Sequence, residues 1–116
     1  MDGEEADIVI KDIRRSIPTV YENCEEVNNC LCHGNMGNTE IVKEYCKVFD
    51  EEKMKQDSDL LRKNLIEKIS KDRNLGIEPL YGFQSLGFMN GLAGIGYSVM
   101  RELDPELPCI MAVDLR

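Results

Sequence analysis

The sequence predicts an all-α chain of about four helices, laid out as an array of helical hairpins. Three observations lead there. Apolar residues recur at three- and four-residue spacing in four separate stretches, which is the pattern of one buried helical face. Glycine, proline and capping residues punctuate the stretches between them. A Gly-x-x-Gly pair stands directly before an amphipathic stretch twice, first at Gly34 and Gly37 and again at Gly91 and Gly94.

Each element follows from its own residues. Val9, Ile13, Ile17, Val20 and Cys24 form the first stripe, and Pro18 inside it predicts a kink or a restart. Residues 25–33 lose the period and read as a polar, then cysteine-rich, loop. The second helix is expected after Gly37, with Asn38 or Thr39 as N-cap, Glu40 in the first turn, and Ile41, Val42, Tyr45, Cys46 and Phe49 on its apolar face. The run from Asp50 to Asp59 has almost no apolar content and reads as a solvated connection. Ser58 then caps a third helix with Leu61, Leu65 and Ile69 on its face, flanked by Leu60 and Ile66 and stopped at Leu75-Gly76.

Six of the nine glycines fall between residues 76 and 96, so residues 76–88 are expected to be irregular. The fourth helix begins near Gly91, buries Leu92, Ile95, Val99 and Leu103, and ends at Asp104-Pro105. The tail from Cys109 is short and apolar, a strand or a docked extended arm. The two glycine pairs lie 57 residues apart, from Gly34 to Gly91, with matching helical context after each. They therefore read as two copies of one unit. Glycine at such a helix start lets backbone pack closely against a neighbour.

Composition narrows the function. The chain of 116 residues suits one small domain, and 22 acidic against 14 basic side chains give a formal net charge of -8. That balance opposes a nucleic-acid surface or an anionic-membrane surface, both of which need a basic face. No apolar run approaches the roughly 20 residues of a membrane span. The acidic start, MDGEEAD, is the opposite of a signal peptide, and five cysteines are an odd count, so a reducing cytoplasm is the expected location.

Cys32-His33 is where two strong soft-metal ligands stand together, and His33 is the chain's single histidine. A thiolate and an imidazole suit zinc, and Gly34 permits the sharp turn by which neighbours reach one ion. Cys30 extends the motif to Cys-x-Cys-His and stays open as a further ligand, whereas Cys24 and Cys46 are accounted for by their apolar stripes. No Gly-x-Ser-x-Gly, P-loop or His-Glu-x-x-His motif occurs, and Gly-Leu-Ala-Gly-Ile-Gly lacks the preceding strand of a dinucleotide site.

The segment LCHGNMGNTEI, from Leu31 to Ile41, resembles the Cys-His-Gly segment of the lanthionine synthetase C-like cyclases. The block from Gly87 to Leu115 resembles their carboxy-terminal block, closest to the cyclase domain of class II lanthipeptide synthetases. Both blocks stand in family order. The resemblance implies a partial α/α toroid with Gly-x-x-Gly turns and a short extended tail, Cys32 and His33 as zinc ligands, and Gly34, Gly37, Gly91 and Gly94 as turn glycines. It also implies a reaction, in which cysteine thiolates of a precursor peptide add to dehydroalanine or dehydrobutyrine to form thioether rings.

The chain departs from the family pattern in lacking an upstream Cys-x-Gly motif and the upstream acid histidine, so no catalytic residue is assigned. Residues 1–116 are accordingly expected to be a carboxy-terminal piece of such a cyclase, inactive alone and weak or empty in zinc. Its uncovered apolar faces, that of the first helix foremost, are expected to drive homo-oligomer formation. A non-catalytic helical interaction module is the first alternative. A small zinc protein completing its own site with Cys30 is the second.

Overall fold

The computed structural model describes residues 2–25, 28–72, 76 and 85–112, and these hold four α-helices and no strand. Helix α1 spans Gly3–Glu22. Its start is fixed by a reciprocal cap: the Glu5 N–H donates to Asp2 Oδ1 at 2.9 Å, and the Asp2 N–H donates to Glu5 Oε2 at 3.1 Å. Of the kink or restart expected at Pro18, the restart is excluded: the helix continues through that residue without a break. Pro18 removes one main-chain donor, but it is exposed, so water can serve the carbonyl one turn back. The expected stripe divides along its length. Ile17 and Cys24 are buried, whereas Val9 and Ile13 are 44% and 40% exposed.

Helix α2 spans Asn35–Phe49, beginning a turn earlier than the sequence suggested. Gly34 is its N-cap, and Asn38 and Thr39, expected as caps, lie inside it. Thr39 instead donates its hydroxyl back to the carbonyls of Asn35 and Met36. Asp50 takes a left-handed conformation, φ 54°, and turns the chain directly into α3, Glu52–Asp72. Residues 52–59 are therefore helical, not a solvated connection. Glu52, Lys53, Lys55 and Asp57 are exposed and Asp59 is half-buried, while Met54 and Ser58 turn inward. Ser58 is not a cap: it is buried mid-helix, with no hydrogen-bond partner among the described residues. Leu75 of the expected stop lies outside the described residues, and Gly76 takes a positive φ, 59°.

Helix α4 spans Leu92–Leu103, with Gly91 as N-cap and Asp104 as C-cap. Its buried face is rotated from the expected one. Gly94, Ile95, Ser98 and Arg101 point inward, Val99 is half-buried, Leu92 is exposed, and Leu103 is 85% exposed. The tail closes in a single 3-10 turn, Ile110–Ala112, behind a buried Cys109. Val113 lies outside the described residues.

Two apolar clusters hold the helices. Leu31, Met36 and Ile95 pack with Leu65, Ile66, Ile69, Val99 and Met111. Cys24, Val42 and Cys46 pack with Val20, Tyr45, Met54 and Leu61. A buried ionic core joins α2, α3 and α4. Glu40 accepts from Arg101 through one carboxylate oxygen and lies 3.3 Å from Arg62 through the other. Arg62 also reaches Glu102 at 2.5 Å, and Arg101 reaches Glu44 at 3.1 Å. This core is why α4 turns Ser98 and Arg101 inward: a fully buried charge must meet its counter-charge.

Candidate metal site in a repeated turn

The glycine repeat is a structural repeat, residue by residue. The Asn35 N–H donates to the Asn28 carbonyl at 2.8 Å, and 57 residues on the Leu92 N–H donates to the Ser85 carbonyl at 2.9 Å. The Cys30 N–H donates to Asn28 Oδ1 at 2.8 Å, and in the second copy the Gly87 N–H donates to Ser85 Oγ at 3.2 Å. Gly37 and Gly94 are bare for the same reason, since a Cβ on either would run into the carbonyl of Leu31 or of Phe88 respectively. The two turns lie against each other, with the Cys32 N–H donating to the Met89 carbonyl at 2.7 Å.

This scaffold presents Cys32 and His33 at an exposed tip. His33 Nε2 lies 3.2 Å from Asn28 Nδ2, and His33 Nδ1 lies 3.6 Å from Cys30 Sγ. Cys30 itself is fully buried. Asn90 occupies the equivalent place in the second turn and accepts from Ser85 Oγ at 3.1 Å. One frame thus carries an imidazole in its first copy and an amide in its second.

The donor set fits zinc in kind and falls short in number. One thiol and one imidazole at a solvent-facing turn are zinc-type ligands, but zinc takes three or four. Among the described residues no three His, Cys, Asp or Glu side chains come together around a common point. Cys24 and Cys46 lie in the second apolar cluster. Burial, with the Glu25 charge adding to it, pushes the Cys24 thiol up to about 11, which disfavours the thiolate a metal needs. Burial likewise raises the Cys46 thiol. Asn28, Ser85 and Met89 were missed in the sequence. The 57-residue offset carried backward from the glycines pairs Asn28 with Ser85, and pairs His33 with Asn90.

The family model described as lanthionine synthetase C-like protein matches residues 4–114. The chain belongs to that family. It is similar to the Lacticin 481/lactococcin biosynthesis protein LcnDR2 of Lactococcus lactis subsp. lactis, at 33% identity over 78 residues. That match takes in 66% of this chain and 8% of the relative's length.

Proposed function

We propose that this chain is a carboxy-terminal piece of a zinc-dependent lanthipeptide cyclase, whose parent joins precursor-peptide cysteines to dehydrated residues as thioether rings. The observation that carries the reading is the paired presentation of Cys32 and His33 at the exposed tip of the first Gly-x-x-Gly turn, braced by the second. Cys32 and His33 would hold the zinc, with the remaining protein ligand supplied from outside these 116 residues. Zinc, when bound, favours the deprotonated form of a thiol and so supplies the activated nucleophile.

This chain's own part is to hold the two ligands. The Cys32 main chain is tied to Met89, and the glycines let α2 and α4 start close beside the loops that precede them. No residue of the chain is assigned the proton transfer that completes addition. The relative's role in lacticin biosynthesis supports a peptide as the parent's substrate. The arc of α1 to α4 is read as part of an α/α toroid, and the exposed part of α1 as a face on which copies associate.

Native mass spectrometry of the chain with and without zinc tests the reading. A species that is metal-free or holds zinc weakly, and loses it entirely on Cys32→Ala or His33→Ala, is the expected result. One tightly held zinc per chain, unaffected by those substitutions, would overturn it. Ring formation in a dehydrated peptide by the isolated chain would likewise end the proposal that it is a partial cyclase.

A further inference from the structure

The frame around His33 fixes more than its position. Asn28 Oδ1 accepts the Cys30 N–H at 2.8 Å, so the side-chain amide cannot be reversed, and its NH2 group faces His33 Nε2 at 3.2 Å. An amide NH2 only donates. Nε2 must therefore carry the lone pair, and the imidazole proton sits on Nδ1, facing Cys30 Sγ at 3.6 Å. That sulfur is fully buried, so Nδ1 is turned toward the protein.

We propose that Asn28 and Cys30 are positioning residues that set His33 as its Nδ1–H tautomer and reserve Nε2 as the metal-binding nitrogen. Which ring nitrogen binds a metal is decided by the hydrogen bond the other one makes. An ion at Nε2 replaces one exposed hydrogen bond from Asn28 and leaves the Cys30 contact in place. An ion at Nδ1 would move the ring proton to Nε2, against the Asn28 NH2 donor, and would sit against a buried sulfur. Cys30 is on this account an acceptor for the imidazole, and the Cys-x-Cys-His spacing is that of a ligand pair with its support. The second turn shows what the frame does without a metal ligand, since Ser85 there simply donates to Asn90.

The metal assignment rests on the cyclase reading, but the tautomer does not. Because the chain has one histidine, a long-range proton–nitrogen correlation spectrum of the metal-free chain contains a single imidazole. Recorded on the neutral ring at mildly alkaline pH, it should show the proton on Nδ1. Asn28→Asp keeps the shape and still accepts from Cys30, but it presents an acceptor to the ring, so the proton should move to Nε2. A wild-type ring protonated on Nε2, or one indifferent to Asn28→Asp in a chain that stays helical, would overturn the proposal.

Zinc alone is then added to the wild-type chain. The Nε2 resonance should move while the Nδ1 proton persists, and Cys30→Ala should weaken zinc about 10–100-fold. Loss of the Nδ1 proton on zinc binding would show Cys30 and Nδ1 acting as ligands and would refute the assignment. The metal-free spectrum decides the tautomer whether or not the isolated chain takes up zinc, and tight zinc binding that survives Cys32→Ala and His33→Ala is the outcome that counts against the cyclase reading.

Discussion

The Cys32 N–H donates to the Met89 carbonyl at 2.7 Å, and the two residues hold the same place in two turns 57 residues apart. Equivalent loops are thus joined edge to edge. Leu31, at the base of the first, reaches Gly94 of the second, where an added Cβ would meet its side chain. The main chain of Cys32 is therefore held by a turn far along the chain.

The close approach of backbone at Gly37 and Gly94 predicts a sharp intolerance of alanine. A Cβ there meets a carbonyl in the main chain, which cannot swing aside, so each substitution should cost about 1–3 kcal/mol or more. Gly96 has nothing within 4 Å of its Cβ position, and Gly96→Ala inside α4 should stabilise by about 0.5–1 kcal/mol. Urea unfolding followed by circular dichroism separates them. Equal effects at Gly94 and Gly96 would mean that the close turn is not real.

Glu40 is 2% exposed and faces two arginines that are themselves buried. Removing its charge leaves Arg62 and Arg101 without their central counter-ion, so Glu40→Gln should destabilise by about 3–5 kcal/mol. The exposed pair Lys71–Glu67 offers the contrast, and Glu67→Gln should change stability by less than about 0.5 kcal/mol. The same denaturant titration reads both.

Glu102 predicts a pH dependence. Burial works to raise its carboxyl, but the Arg62 charge and hydrogen bond, joined by Lys43, outweigh that and hold it below the ordinary glutamate range. A carboxyl lowered on folding stabilises the fold above its unfolded value and loses that contribution as pH falls through the folded value. The stability gap between wild type and Glu102→Gln should therefore be open at neutral pH. It should close as the pH drops well below the roughly 4.3 of an unperturbed glutamate. A gap independent of pH would show that the ion pair contributes nothing on folding.

Thiol accessibility offers another check. Cys32 is exposed, whereas Cys24, Cys30, Cys46 and Cys109 are buried. Iodoacetamide at about pH 8 should label Cys32 first by a wide margin, with Cys24, whose thiol sits at about 11, among the slowest. Peptide mass spectrometry over time gives the order. Early labelling of Cys30 would place it at the surface.

The outer half of α1 carries Ile8, Val9 and Ile13 at 56%, 44% and 40% exposure, which is the basis for expecting copies of the chain to associate. Sedimentation velocity at micromolar concentration should find a dimer or larger species, and Val9→Glu with Ile13→Glu should return it to monomer. A wild-type monomer would refute association through this face.

Local chemistry made much of this legible in the residues. The four helices, the loop before Gly34, the Leu61, Leu65 and Ile69 face and the paired glycine turns are each encoded within a few neighbouring positions, though flanking Leu60 is exposed. The interval 52–59 was misread because a helix built from charged residues shows no apolar period when one long face is solvated. Thr39 and Ser58 were misread as caps because a short hydroxyl side chain looks the same in sequence wherever it sits in a helix.

The α4 face went astray for a different reason. Leu103 is more apolar than Arg101, yet Arg101 is inside, because Glu40 on α2 is there to meet it. The all-α class, the duplicated turn and the Cys32-His33 pair can be read from the residues, since each depends on backbone rules acting over a few positions. Which charges are buried, the tie from Cys32 to Met89, and the placing of Asn28 and Cys30 beside the imidazole come from packing in the folded chain. Those outcomes depend on which distant groups share a low-dielectric space, where an unpaired charge or donor is costly.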